Sequence, residues 1–161
     1  MAFFILRFQT FFDDIECLAN VEVRKKFGYD ANAVGCFQGV VEEMGKGLID
    51  KSGKVSVNGE RTVLKEKDIE KLHAYNIDEC ESLRIMMEKV RFLKQMDPDC
   101  PVMAIADNPS MSAAAMMDGA NFYVSLIKNK KFVREVTELL MEPIAQSVAR
   151  LVEAGCDIVW L

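Results

Sequence analysis

A single histidine, His73, in 161 residues leaves little room for imidazole chemistry. A Ser/His/Asp set would rest on that one residue, and no G-x-S-x-G turn accompanies it. A glycine-rich phosphate loop is lacking as well. The five cysteines, Cys17, Cys36, Cys80, Cys100 and Cys156, are odd in number, scattered and never spaced as C-x-x-C. That pattern argues against a disulfide framework and fits a reducing compartment, so a cytoplasmic location is expected. No metal is expected in this chain. Ala74, Tyr75 and Asn76 interrupt any helix that would bring His73 and Cys80 to one face, and the carboxylates follow no ligand spacing.

A large excess of one charge is also lacking. Twenty basic residues face twenty-five acidic ones, for a net charge of -5. No Lys/Arg stripe forms, so nucleic acid is excluded as a partner. The apolar start AFFILRFQTFF is interrupted by Arg7 and Gln9 and lacks a basic leader and a small-residue cleavage site. It reads neither as a signal peptide nor as a membrane span, and is expected to pack against the rest of the chain. Internal repeats and low-complexity segments are absent.

The remaining composition, 50% hydrophobic and 28% charged, is that of a globular chain long enough for one sizeable core. Residues 13–27 predict a short helix opened by Asp13 and Asp14 and stopped by Gly28. Residues 30–37 form a small apolar run of strand length, and 39–45 a turn of helix closed by Gly45. Between Lys46 and Leu64, the runs GLID, KVSV and RTVL are separated by Lys51-Ser52-Gly53 and Asn58-Gly59, which predicts a small β-meander over residues 46–64. Helical patterning returns at 66–73 and at 78–96. In the second of these, Asp78 is a candidate cap, and Leu83, Met86, Met87, Val90, Leu93 and Met96 recur at three- and four-residue steps, giving one apolar face.

PVMAIAD (101–107) has the near-continuous apolar character of a strand buried on both faces. Asn108 and Pro109 then suit the cap and first turn of a helix that Gly119 closes. Asn121 is a candidate cap for the next helix. The longest helical pattern, 130–154, contains Pro143, which should kink or split it. Gly155 ends it, and CDIVWL (156–161) reads as another buried strand. Strands alternating with helices predict a parallel α/β sheet. In such sheets chemistry sits at the C-terminal ends of strands, which makes Asp107, Asn108 and Ser110 the candidate substrate-binding residues. Asn108 is equally suited to plain helix capping. Met103, Met111, Met116 and Met117 gather around the same strand, as core or as a wall for a large cofactor. CDIVWL has no loop after it, so the chain is expected to be a truncated N-terminal half of a larger domain.

From about Phe27 to Trp160, the order of segments resembles the uroporphyrinogen decarboxylase superfamily. These segments are FGYDANAV, VVEEMG followed by a hairpin, KEKDIEKL, PVMAIADNPSMSA and LVEAGCDIVWL. The most specific is the last, with its helix-ending Ala154-Gly155-Cys156-Asp157 step. The resemblance implies a partial (β/α)8 TIM-type barrel, a single domain over 1–161, with the meander as an insertion. Decarboxylases of this superfamily carry an essential Asp where this chain has Cys36, and a substrate-contacting Tyr where it has Ala115. Their Arg-rich N-terminal loop has no counterpart in MAFFILRFQTFF.

The resemblance therefore points to the corrinoid/methylcobalamin-dependent methyltransferase branch found in anaerobes. That branch implies zinc and a corrinoid for a complete parent, with none in this chain, because the His-x-Cys and later Cys ligands belong to the other half. The implied partners are the missing C-terminal half and, for the parent, a corrinoid protein or a small-molecule methyl acceptor. The chain alone is expected to be inactive. Outer strands at Ala31–Val34 and Cys156–Leu161 would be left unpaired, so self-association is expected. The alternatives are a decarboxylase-type lyase of tetrapyrrole biosynthesis and a non-catalytic α/β binding module.

Overall fold

Three parallel strands, in the order β1-β2-β3, organise the computed structural model of the chain. It describes residues 2–36, 39–45, 65–72, 75–117 and 119–161. The meander expected over 46–64 and His73 lie outside the described residues. The chain divides into two units, one of Met1–Phe37, Ser82–Ala106 and Val148–Leu161, the other of Gln38–Glu81 and Asp107–Ser147.

The first unit holds the sheet. β1 (Asn32–Cys36) pairs with β2 (Val102–Ile105), and β2 with β3 (Ile158–Trp160). All three strands coincide with the apolar runs of the sequence. β2 is central; its Val102 and Ala104, on one face, are wholly buried, whereas Met103 and Ile105 on the other are only half-buried, so one face is fully covered and the other in part. α1 (Ala2–Phe27) is one helix of 26 residues, much longer than expected. Asp13 and Asp14 therefore lie inside it and do not open it. Its C-terminal end is favourably built: Arg24, Lys25 and Lys26 crowd the negative end of the dipole. Gly28 follows at φ +70°, its N–H donating to the Arg24 carbonyl, a left-handed cap that glycine adopts without strain. Arg24 then pairs with Asp97 at 2.8 Å. Asn32, fully buried, donates to the same Asp97 oxygen at 3.3 Å.

α3 (Glu81–Met96) buries Leu83, Met86, Val90 and Leu93, four of the six residues that its three- and four-residue spacing put on one face; Met87 is only half-buried and Met96, in the last turn, is exposed. The outer edge of β1 differs from expectation. Both backbone groups of Ala33 are engaged by the Asn20 side chain, so this edge is satisfied from within the chain at that position.

In the second unit, α2 (Gly39–Gly45), α4 (Pro109–Met117) and α5 (Gly119–Lys128) accompany two 3-10 helices, Glu66–Lys71 and Ile77–Glu79. Local polar groups decide where these begin. Asn76 caps the second 3-10 helix: its Oδ1 accepts the Asp78 N–H at 3.1 Å. Asn121 lies within α5 and does not cap it. Met116 and Met117 are core residues, whereas Met111 is 72% exposed.

α6 (Lys130–Glu153) passes through Pro143 as one continuous helix, not two, and the division between units falls within it. Asn129 opens it by accepting the Phe132 N–H at 3.3 Å, a cap the sequence reading did not anticipate. Gly155 closes it at φ +103°, with the Cys156 N–H reaching the Leu151 carbonyl. Among the described residues, no helix is long and apolar enough to cross a membrane.

Candidate functional site

Asp107 lies just past the C-terminal end of β2, where backbone pairing gives way to the turn that starts α4. Its side chain is turned inward and only 5% of the residue is exposed. One carboxylate oxygen accepts the backbone N–H of Val40, at the start of α2, at 3.2 Å. The other accepts the Ser112 hydroxyl at 3.2 Å. A buried carboxylate with two donors is charge-stabilised without leaving the interior. Asp107 thus ties the opening of α2 to that of α4.

Asn108 follows as the α4 cap. Its Oδ1 accepts the N–H groups of Ser110 at 3.0 Å and Met111 at 3.2 Å, together with the Ser110 hydroxyl at 2.6 Å. The three candidate residues therefore stand in one turn, with Ser110 the outward-facing member. Each has a local hydrogen-bonding task that shapes the turn. Ala115, further along α4, is exposed.

A second group in the same unit is absent from the sequence reading. The Tyr75 hydroxyl meets the Ser147 hydroxyl at 2.7 Å, and Ser147 donates to the Pro143 carbonyl at 2.9 Å. With the serine proton committed to that carbonyl, Tyr75 is the donor of the pair. Burial raises the Tyr75 phenol above its ordinary range, and neighbouring Cys80 and Asp107 act in the same direction. Tyr75 is consequently a fixed proton donor, not a phenolate. The residues lie 72 apart in sequence, and no spacing rule links them.

Zinc does not fit the described residues. No group of three or more His, Cys, Asp or Glu among them could hold a metal ion, and no step through zinc is derived. Cys17, Cys80, Cys100 and Cys156 are all buried. Burial raises the Cys156 thiol above its ordinary value, which keeps it protonated and unreactive. A shallow, open cleft lined by Glu16, Cys17, Asn20, Ala33, Val34 and Lys89 has room for about one water molecule, far less than a small-molecule pocket needs.

The step joining α6 to β3 is also geometric. Asp157 accepts the Val102 N–H and the Lys94 ammonium, both at 2.8 Å. The Lys94 hydrogen bond, followed by that from Val102, holds its carboxyl below the usual range. This clamp sits at the N-terminal ends of β2 and β3, the end of such sheets that serves stability and not chemistry.

The sequence profile of the uroporphyrinogen decarboxylase (URO-D) family matches residues 9–161. The chain belongs to that family. A solved structure, a methyltransferase from Methanosarcina mazei, superposes with a TM-score of 0.71 at 19% identity. The match covers 91% of this chain and 44% of that one, so the chain spans less than half the length of the protein it resembles. At that identity the likeness establishes the fold: the three parallel strands and their helices follow part of an α/β barrel. No curated protein sequence matches the chain. Within the URO-D family, the Ala-Gly-small-Asp step acquires a physical reason here, because Gly155 supplies the positive φ and Asp157 the clamp.

Proposed function

We propose that this chain is the N-terminal portion of a URO-D-family barrel of the methyltransferase type, and that its partner is the remainder of that barrel. The observation that carries the reading is the match to a methyltransferase over 91% of this chain but 44% of the other. Cys36 and Ala115, standing where the decarboxylases need an Asp and a Tyr, support the same branch. On this reading the turn Asp107-Asn108-Pro109-Ser110 lines the substrate cleft of the complete barrel. Asp107 orders the turn from within, and Ser110 offers the accessible hydroxyl.

A complete protein of this type would draw on zinc to activate a thiol acceptor and on a corrinoid as methyl carrier. Both would be held by residues beyond those of this chain, with a corrinoid protein or a small thiol as partner. This chain's own contribution is a rigid strand end and a helix N-terminus facing the cleft. A cytoplasmic setting fits the buried thiols of Cys17, Cys80, Cys100 and Cys156.

The decisive experiment is to sequence the DNA downstream of Leu161. A continuation carrying His-x-Cys and a later Cys supports the methyltransferase branch. A continuation of barrel strands without those ligands overturns it and returns the chain to the decarboxylase-type reading.

A further inference from the structure

Two sides of α1 have different tasks. Cys17 and Val21 are buried and Asn20 bonds to Ala33, so this side of the helix is the one turned to β1. A second stripe is apolar without serving that packing. Phe4, Phe8, Phe11, Ile15 and Leu18 follow one another along the helix at steps of four, three, four and three residues, the 3.5-residue spacing of a coiled-coil seam. Towards the end of the stripe, Ile15 and Leu18 are 45% and 40% exposed. Glu22 takes the next seam position, is exposed, and stops the pattern.

A seam of this spacing fits another helix. A lipid surface fits it poorly, because interfacial helices are rich in cations. Through Val23, Arg7 is the only basic residue, against Asp13, Asp14, Glu16 and Glu22. The positions beside the seam select the partner. Arg7 and Asp14 are seven residues apart and so share one flank, while Ile5, Phe12 and Ala19 make up the other. In an antiparallel pair like flanks meet, so position 7 of each helix lies beside position 14 of the other and opposite charges are matched. In a parallel pair both charges would meet the apolar flank. The antiparallel arrangement is its own complement, as a two-fold axis requires.

We propose that α1 is a docking surface for a second copy of this chain, through an antiparallel two-helix seam centred between Phe8 and Phe11. Burying the three seam phenylalanines of each copy removes roughly 900–1,500 Å² from water, at about 150–250 Å² a ring. That reaches the lower end of stable interfaces. The pairing uses no strand edge, so it leaves the sheet to be extended by the remainder of the barrel.

Sedimentation equilibrium on the 161-residue chain tests this and should give a dimer. Phe8→Glu combined with Phe11→Glu should leave a monomer that still unfolds cooperatively. Arg7→Asp and Asp14→Arg should each weaken the dimer roughly fivefold at low salt, since each sets like charges together on both sides of the axis. The two charge changes combined rebuild the pairing and should return the dissociation constant to within about twofold of the parent's. This charge series holds as a test whether or not the phenylalanine variant folds. Ile158→Lys, on the β3 edge, should leave the dimer unchanged. A monomeric parent overturns the proposal. So does association that the combined charge changes fail to restore, or that Ile158→Lys abolishes. Binding of the chain to phosphatidylglycerol vesicles in place of dimerisation overturns it as well.

Discussion

Asp157 accepts the backbone N–H of Val102 at 2.8 Å, so the residue before β3 fastens the first residue of the central strand. Lys94 adds its ammonium to the same oxygen. The carboxyl lies lower in the folded chain than in an unfolded one, so its contribution is present above the ordinary carboxylate value and is lost as pH falls through the folded value. Stability should therefore drop below about pH 4 through this group. Asp157→Asn should flatten that drop and lower stability at pH 7 by roughly 1 kcal/mol, the discount reflecting a partly exposed pair. Thermal unfolding of both proteins from pH 3 to pH 7 checks it; parallel pH profiles would remove Asp157 as the clamp.

The turn after β2 makes a graded series. Asp107→Ala strands the Val40 N–H and the Ser112 hydroxyl in the interior, a loss of about 1–3 kcal/mol. Asn108→Ala removes a helix cap, about 0.5–2 kcal/mol. Ser110→Ala should be near neutral, because both backbone donors still reach Asn108. In a complete barrel, Ser110→Ala should lower activity at unchanged melting temperature, whereas Asp107→Ala should lower both. A destabilising Ser110→Ala, or an Asp107→Ala of wild-type stability, would contradict these assignments.

The strands were legible because β1, β2 and β3 each fall on a short apolar run, and α3 because its apolar residues recur on one face. α1 was misjudged at its start: the acidic pair Asp13-Asp14 was read as the opening of a helix, whereas the helix begins at Ala2. Caps were the other failure: Asn121 lies inside α5 and not at its start, and Asn129, which opens α6, was passed over. The strand-end turn was visible as Asp-Asn-Pro, but not that Asp107 faces inward. Asn20 with Ala33 and Tyr75 with Ser147 had no sequence signature, since each joins groups brought together only by the fold.

Thiol reactivity gives a third expectation. Cys17, Cys80, Cys100 and Cys156 are buried, and the Cys156 thiol is pushed up by desolvation. At pH 7 these four should resist alkylation by iodoacetamide in the folded chain and react fully in denaturant, as inert core cysteines do. Mass spectrometry after timed quenching assigns each site. Rapid native labelling of Cys156 would show that its shielding is wrong.

Catalysis by the isolated chain is the fourth. On the proposed reading, which puts the zinc ligands beyond this chain and Cys36 where the decarboxylases have an Asp, it should neither methylate a thiol from methylcobalamin nor decarboxylate uroporphyrinogen. Turnover of either substrate by purified, zinc-supplemented protein is the contrary result.

The Tyr75–Ser147 contact answers to a double-mutant cycle. Tyr75→Phe leaves Ser147 with its bond to the Pro143 carbonyl and removes one buried donor, so a loss of about 0.5–1.5 kcal/mol is expected. Ser147→Ala deletes the acceptor and leaves the half-buried phenol to find water, with a loss of similar size. Because each single change breaks the same 2.7 Å contact, the double variant should lose less than the two singles together. The coupling expected between contacting groups is about 0.5–1.5 kcal/mol. The cycle also separates this bond from the helix beneath it. Ser147 back-bonds within α6 beside a proline that supplies no N–H, so a purely helical role would make Ser147→Ala harmful whether residue 75 is Tyr or Phe. Additive losses would assign Ser147 to the helix alone; a clear coupling would make Tyr75 the tie between the 75–80 segment and α6.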